Sequence, residues 1–217
     1  MAKDIDLSLV KVVSWDIDGT MYDLHALMSA FKWDLFRRML SLGWVAAWRD
    51  FFRLLRFKRF MDKVRSARGD YAVGSVPDRD AIGQTQAEMY GRILPQIGVE
   101  PGVKDLMTWF TERGTPQVVF SDYRPSTKLS ALGLDRFFDR VYAGEDLGHL
   151  KPAPAVFRAI LDDLGLEPAE LLHIGDRPDT DGAAASEVGY QVAIIGDRFA
   201  TATDLLGTLQ HAEDPNE

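Results

Sequence analysis

The chain has 217 residues, of which 46% are hydrophobic and 27% are charged, and its formal net charge is −8. This composition is typical of a soluble globular protein, and the length allows one α/β domain with a smaller insertion. The absence of cysteine excludes disulfides, thiolate metal sites and cysteine nucleophiles. Because there is no apolar signal core at the N-terminus and no apolar run of membrane-spanning length, we expect a cytoplasmic protein.

The first predicted strand and the turn after it are the most informative part of the chain. Val12-Val13-Ser14-Trp15 has the apolar character of a buried parallel strand, and Asp16-Ile17-Asp18-Gly19-Thr20 follows it. Parallel sheets carry functional groups at the carboxyl ends of their strands. Two carboxylates at that edge repel each other unless a cation separates them, and Mg2+ suits oxygen ligands best. Taken alone, the segment also fits a solvated turn, since Asp and Gly are common turn residues.

A helical segment with its own charge follows this turn. The spacing of apolar residues predicts helices at residues 25–42, 44–64 and 77–94. Residues 21–68 contain 11 Lys and Arg against 4 Asp and Glu, whereas the remainder contains 14 against 29. The contrast indicates a separate module with its own contacts.

From Pro101 onward, helices and strands alternate. Four further strands are predicted, at residues 117–120, 140–143, 171–174 and 191–195. Four helices are predicted in this part of the chain, at residues 102–112, 126–132, 154–164 and 181–188. The end of the chain from His211 is polar, and we expect it to be frayed.

This order of elements predicts an α/β fold with a doubly wound, parallel, five-stranded Rossmann-like core and an inserted α-helical cap. We expect residues 1–21 and 95–217 to form the core domain and residues 22–94 to form the cap. The insertion begins directly after Asp16 and Asp18, so the cap is placed to act as a lid over them.

Polar groups from distant parts of the chain follow the predicted strands. Asp16 and Asp18 come after the first strand, Ser121 after the second and Asp176 after the fourth, while Lys151 lies just before a helix. Their order and spacing match the four motifs of the haloacid dehalogenase (HAD) superfamily. The chain resembles the phosphatase branch of that superfamily over about residues 10–197, with a helical cap inserted after the first motif. The third motif includes the Lys-Pro-x-Pro context, and the fourth is Gly175-Asp176 followed by Asp181.

The resemblance implies a Mg2+-dependent phosphatase that hydrolyses a small phosphate monoester through an aspartyl-phosphate. Asp16 would be the nucleophile, and Asp18 would protonate the leaving alcohol and then deprotonate water. Lys151 would neutralise charge between the phosphate and Asp16. The phosphate-binding residues would be Ser121, Asp122 through its backbone N–H, Thr20 and Lys151. Dehalogenase members of the superfamily replace the second carboxylate, so Asp18 favours phosphate ester chemistry.

The same resemblance implies a metal site. Mg2+ would be held by Asp16, the backbone carbonyl of Asp18, Asp176 and Asp181, the last through water or by orienting a ligand. Asp179 is an alternative to Asp181, although the motif spacing favours Asp181. Arg177, next to Asp176, is expected to pair with Asp179.

Two other functional interpretations are open from the sequence. One is a phosphomutase of the same family, which returns the phosphoryl group to a sugar. The other is a non-catalytic binding or scaffold protein whose cap contacts an anionic membrane or a partner. A small phosphorylated metabolite is the expected partner, and nucleic acid is not, because the chain is acidic and has no nucleic-acid-binding module.

The basic, aromatic helix at residues 44–63 has three possible roles. We expect its apolar face to pack within the cap and against the core; the residues assigned to that face are Trp44, Ala47, Trp48, Phe51, Phe52 and Leu55. The basic face could instead attract an anionic substrate. Contact with an anionic membrane is the least favoured of the three.

Overall fold

A five-stranded parallel sheet lies at the centre of the protein. The computed structural model describes residues 5–41, 44–66 and 79–213, and within them the sheet has the order β3-β2-β1-β4-β5. The strands are β1 (Val12–Trp15), β2 (Gln117–Ser121), β3 (Arg140–Ala143), β4 (Leu171–Gly175) and β5 (Gln191–Ile194). All four neighbouring pairs are parallel, which confirms the predicted α/β fold class.

The register of the three central strands brings their carboxyl ends to one edge of the sheet. Trp15 of β1 lies opposite Val119 of β2 and Ile174 of β4. The backbone N–H of Asp16 continues the ladder by donating to the carbonyl of Ile174 at 2.8 Å. Asp16, Ser121 and Asp176 therefore emerge close together at that edge.

Three helices lie in the segment inserted after β1, and we refer to them as the cap helices. They are α1 (Leu24–Ser41), α2 (Trp44–Ser66) and α3 (Arg79–Ile97). Arg38 joins α1 to Asp50 of α2 at 2.7 Å, and Arg92 joins α3 to Asp34 of α1 at 2.9 Å. Helix α3 continues through Pro95 and ends at Ile97, three residues beyond its predicted end at Leu94. Its predicted start at Pro77 lies outside the described residues.

The core helices cover both faces of the sheet. They are α4 (Val103–Glu112), α5 (Ser126–Leu132), α6 (Gly144–Leu147), α7 (Pro154–Leu164), α8 (Ala183–Val188) and α9 (Ala202–Glu213). Helices α4 and α9 pack together over the cluster that contains Trp15, and α7 and α8 pack over the one that contains Val12. Residues of one strand thus point to opposite faces, as the alternation of a strand requires.

Helix α9 is absent from the predicted elements, and the predicted start of α8 at Asp181 is wrong. Thr201 and Asp204 form a reciprocal capping arrangement at the start of α9, and Leu205 and Leu209 are buried. Asp181 lies in a π-helical turn (Pro178–Gly182) rather than at the start of α8.

The apolar face predicted for α2 is rotated in the structure. Trp48 and Phe52 are 39% and 58% exposed, whereas Phe57 and the carboxylate of Asp50 are buried. Asp50 is held inward by Arg38 and by Arg53, so these ion pairs fix which face of α2 meets the rest of the cap. The side chains of Trp44 and Ala47 are outside the described part. Among the helices described, none has both the length and the apolarity needed to cross a membrane.

Candidate active site

Three carboxylates and one ammonium group meet at the carboxyl edge of the sheet. Asp16 follows β1, Asp176 follows β4 and Asp181 lies in the π-helical turn; one oxygen from each lies within 4.8 Å of the others. We call these three residues the carboxylate cluster. The Nζ atom of Lys151 donates to Asp181 Oδ1 at 2.6 Å and to Asp16 Oδ1. Asp16, Asp181 and Lys151 are buried, and Asp176 is partly buried.

The carboxylate cluster carries more negative charge than its neighbours balance. Burial raises the pKa of Asp16 well above its usual range, and Lys151 only partly opposes that effect. Burial and the charge of Asp181 raise the pKa of Asp176 to about 6. Burial disfavours the ammonium of Lys151, but Asp16 and Asp181 more than offset this and raise its pKa, so it stays protonated. One ammonium cannot neutralise three carboxylates, and an oxygen-ligated divalent cation fits this donor set.

Two glycines leave the space in which the carboxylate cluster assembles. A Cβ atom at Gly19 would lie 2.3 Å from Asp176 Oδ2, and one at Gly175 would lie 2.7 Å from the Cβ of Asp181. Gly19 also has a φ of 95°, a backbone conformation that favours glycine. A larger residue at either position would collide with Asp176 or Asp181, so both positions require glycine.

Asp18 faces a different set of partners. Lys128 of α5 donates to both of its carboxylate oxygens, at 2.6 and 2.5 Å, and the hydroxyl of Tyr22 donates to Oδ1. Lys128 is only 1% exposed, and its Nζ also lies 4.9 Å from the ring centre of Tyr90 in α3. Burial opposes ionisation of Asp18, yet the ammonium of Lys128 outweighs it and lowers the pKa of Asp18. The carboxylate of Asp18 is thus held charged beside the carboxylate cluster.

The remaining predicted phosphate-binding residues surround Asp16 and Lys151. Ser121 ends β2 and is buried, and Asp122 Oδ1 accepts a hydrogen bond from the backbone N–H of Lys151 at 2.8 Å. The hydroxyl of Thr20 donates to Asp16 Oδ2 at 3.2 Å. Thr20 does not line the cavity described below, whereas Ser121 and Asp122 do.

Asp181, and not Asp179, belongs to the carboxylate cluster. Its Oδ1 lies 3.4 Å from Nε2 of His173, and its Oδ2 accepts from the backbone N–H of Arg177 at 3.3 Å. Burial lowers the pKa of His173, which favours its neutral form. Asp179 is exposed and pairs with Arg177 at 2.9 Å, as the sequence predicts for these two residues.

A cavity of about 430 Å3 opens above the carboxylate cluster, between the core and the cap. Its floor includes Asp16, Asp18, Ser121 and Lys151, and its walls include side chains of all three cap helices. The rings of Phe57 in α2 and Tyr123 in the core lie 5.3 Å apart, which joins the cap to the core beside this cavity.

The sequence model of the haloacid dehalogenase-like hydrolases matches residues 10–189. The chain belongs to this family. A curated phosphoglycolate phosphatase from Rhodospirillum rubrum is 32% identical to this hydrolase over 203 residues, covering 85% of this chain and 79% of the relative. A glyceraldehyde 3-phosphate phosphatase from Methanopyrus kandleri is 22% identical over 193 residues, covering 83% of this chain and 82% of the relative.

Solved structures show the same fold as this hydrolase. A HAD phosphatase from Thermococcus onnurineus superposes with a TM-score of 0.62 at 23% identity, covering 92% of this chain and 98% of that one. A 2-haloacid dehalogenase from Pseudomonas syringae superposes with a TM-score of 0.64 at 20% identity, covering 94% and 99%. Because a phosphatase and a dehalogenase superpose equally well, the fold alone does not separate the two chemistries.

Lys128 and Tyr22 are among the residues of the candidate site that sequence reasoning missed. Both contact Asp18 and both are buried. A signal for Lys128 does exist, because it lies beside Leu129 and four residues before Leu132, the two apolar residues that α5 buries. A lysine on the buried face of a short helix needs a charged partner, but the sequence does not identify the carboxylate that supplies it.

Proposed function

We propose that the protein is a Mg2+-dependent phosphatase that hydrolyses a small phosphate monoester through an aspartyl-phosphate on Asp16. The observation that carries this proposal is the carboxylate cluster at the floor of the cavity, where a single ammonium faces three carboxylates. The relatives named phosphatases support the same class of substrate. The carboxylate of Asp18 supports it further, since a proton donor is needed for an alkoxide leaving group and not for a halide.

The carboxylate cluster has the donor chemistry for Mg2+. Asp16, Asp176 and the backbone carbonyl of Asp18 would hold the ion, with Asp181 as a further ligand or as a partner that orients one. When bound, Mg2+ supplies positive charge that lowers the repulsion between a phosphate dianion and the attacking carboxylate.

The residues of the chain would divide the reaction into two displacements. An oxygen of Asp16 attacks phosphorus, the ester P–O bond breaks, and the leaving oxygen takes a proton from Asp18. Asp18 must be in its protonated form at this step, although Lys128 favours the carboxylate form before substrate binds. Asp18 then accepts a proton from a water molecule that attacks the same phosphorus, which releases inorganic phosphate and restores Asp16. Ser121, the backbone N–H of Asp122 and Lys151 would hold the phosphate oxygens through both steps. The hydrogen bond from Thr20 fixes the orientation of the Asp16 carboxylate.

Release of inorganic phosphate from p-nitrophenyl phosphate, phosphoglycolate and glyceraldehyde 3-phosphate in the presence of Mg2+ tests the proposal. We expect Asp16→Asn to lower the rate by at least about 10³-fold, because the nucleophile is removed. The matched control is Asp179→Asn, which changes an exposed aspartate outside the carboxylate cluster and should retain activity. A wild-type rate no higher than that of Asp16→Asn across a broad phosphate panel would rule against a phosphatase. Transfer of the phosphoryl group to a sugar without phosphate release would identify a phosphomutase.

A further inference from the structure

The cavity above the carboxylate cluster changes from polar to apolar with distance from the floor. The floor carries the charged residues of the proposed phosphate site, but the cap walls are largely aliphatic and aromatic. The apolar side chains that line these walls include Leu24, Met28 and Phe31 of α1, Phe51 and Leu54 of α2, and Met89 of α3. Because Leu24 and Met28 are 40% and 46% exposed, they offer apolar surface that a bound molecule can cover.

The charged groups on the cap walls balance one another. In the described residues, α2 contributes Lys58 and Asp62 to the cavity, one charge of each sign and four residues apart. Arg177 at the rim already pairs with Asp179. Among the described residues, the walls therefore offer no excess positive charge to a second anionic group, such as the carboxylate of phosphoglycolate, at the end remote from the phosphate.

Resting on the proposed function, we propose that the natural substrate is a phosphate monoester whose leaving group carries an apolar alkyl or aromatic body. Its phosphate would lie on the polar floor, and its apolar body would lie against α1 and α2. A volume of about 430 Å3 is within the usual range for small-molecule sites and exceeds what a phosphate alone occupies. Covering apolar walls with an apolar leaving group removes both surfaces from water, which stabilises the complex.

A series of straight-chain alkyl phosphates from ethyl to hexyl tests the inference with the full chain and Mg2+. We expect kcat/KM to rise about fourfold for each added methylene until the cavity is filled. The kcat/KM of butyl phosphate should already exceed that of phosphoglycolate. If ethyl phosphate and phosphoglycolate react as well as hexyl phosphate, the apolar site is refuted while the phosphatase stands. If no ester releases phosphate above the Asp16→Asn rate, it is the proposed function that fails.

A pair of leucine variants assigns the effect to the cavity wall. Leu24 lines the cavity at 40% exposure, and Leu9 lies outside it at 46% exposure. Leu24→Asn should lower the ratio of hexyl to ethyl phosphate kcat/KM by about fivefold or more, because the amide removes apolar contact with the longer chain only. Leu9→Asn should leave that ratio unchanged. Equal ratios in both variants and the wild type would overturn the assignment to this wall.

A second, independent observation concerns the outer surface of the cap. Trp33, Phe36 and Leu40 of α1 are 64%, 51% and 75% exposed, and their spacing puts them on one helix face. Val45, Trp48 and Phe52 of α2 repeat the same spacing and are 84%, 39% and 58% exposed. Six of the ten large hydrophobic residues exposed in the described chain belong to these two stripes.

The apolar stripe of α2 continues as a basic stripe along the same helix face. Arg56, Arg59 and Lys63 follow Phe52 at intervals of four, three and four residues, and all three are exposed. Apolar and aromatic residues joined to Lys and Arg in this way are typical of helices that lie in a membrane interface. The overall charge distribution agrees, since residues 21–68 are basic and the remainder is acidic.

We infer that the outer face of α1 and α2 docks on an anionic lipid surface, with the apolar stripes in the interface and the basic stripe on the head groups. The acidic core of a second copy could attract the basic stripe. However, the only large hydrophobic residues that the described core exposes are Leu9 and Val141, which are too few to cover the apolar stripes. A lipid surface offers both apolar and anionic groups, so it fits both halves of the face.

Co-sedimentation of the full chain with vesicles tests this docking at low ionic strength. We expect binding to phosphatidylcholine vesicles that contain phosphatidylglycerol and none to pure phosphatidylcholine. Phe52→Ser should weaken binding, and Arg56→Glu and Arg59→Glu should each weaken it by about fivefold or more. Val141→Ser, at a 45% exposed position of β3, is the matched control and should bind like the wild type.

Two results would overturn the docking inference. The first is the absence of binding to anionic vesicles, or binding that Phe52→Ser and Arg56→Glu leave unchanged. The second is a dimer in light scattering that Phe52→Ser abolishes, without vesicle binding by the wild type, which would assign the face to a second copy.

Discussion

Asp176 is a member of the carboxylate cluster whose ionisation opposes folding. Its pKa is about 6 in the folded protein against an ordinary 3.8, because of burial and the charge of Asp181. Ionising it therefore disfavours the folded state above about pH 4, and the full effect is present once the pH exceeds 6. We expect Asp176→Asn to raise the free energy of unfolding of the metal-free protein at pH 7 by on the order of 1–3 kcal/mol. Urea unfolding with a chelator present measures it.

The pH and metal dependence make the Asp176 prediction specific. The gain from Asp176→Asn should shrink as the pH is lowered from 6 toward 4, where the wild-type carboxyl is protonated. Added Mg2+ should stabilise the wild type more than the variant and so reduce the gain. Asp179→Asn, at an exposed carboxylate, should show none of these changes. A variant less stable than the wild type at pH 7 in chelator contradicts the account.

Lys128 sets the ionisation of Asp18, so its replacement should move the pH dependence of activity. Lys128→Met removes the ammonium that lowers the pKa of Asp18 and leaves the opposing effect of burial in place. Asp18 is expected to act once as acid and once as base, and any limb of the pH–rate profile that reports it should move to higher pH. Lys104→Met, at an exposed lysine of α4, is the control. An unshifted profile with a lower rate would mean that Lys128 acts only through packing.

In the loop after β1, an alanine at Gly19 would both strain the backbone and collide with Asp176. Comparison with Gly114, where only the strain applies, distinguishes the two effects. Gly19→Ala places a Cβ atom 2.3 Å from Asp176 Oδ2, so Asp176 must leave its position. Gly114 has a similar positive φ of 69°, but a Cβ atom there would have no neighbour within 4 Å. We expect Gly19→Ala to lower kcat by about 10²-fold or more, because a misplaced catalytic group is costly. Gly114→Ala should reduce stability by about 1 kcal/mol and leave kcat unchanged. Equal kcat losses in the two variants would contradict this interpretation.

The elements show which local signals are sufficient for prediction and which are not. The strands were predictable because β1, β2 and β4 are apolar runs followed directly by polar residues. Helix α9 is absent from the predicted elements although its signals are present, because Thr201 and Asp204 cap it and Ala202, Leu205, Leu206 and Leu209 have helical spacing. The contact of Lys128 with Asp18 joins residues 110 positions apart, and no local pattern reports such a pairing.

For the whole molecule, the sequence indicates a cap but not the orientation of its helices. Charge contrast and helical spacing separate the inserted segment from the core. The rotation of α2 depends on the ion pair between Asp50 and Arg38 of another helix, which also exposes Trp48 and Phe52. The exposed apolar stripe of α2 follows from that rotation. One face of the cap meets the cavity above the carboxylate cluster, and the opposite face presents apolar and basic residues to the surroundings.

Phe57 packs the cap against the core, and its removal should weaken the contact between them. It is 7% exposed and packs with Ile82 of α3 and with Leu150 and Tyr123 of the core. We expect Phe57→Ala to lower the free energy of unfolding by about 3 kcal/mol, to speed hydrogen exchange in α2, and to raise KM, because the cavity wall is less well held. Phe52→Ala, on the same helix at 58% exposure, should stay within about 0.5 kcal/mol of the wild type. If both variants behave alike in exchange and in KM, Phe57 does not hold the cap, and the cavity wall must be fixed by other contacts.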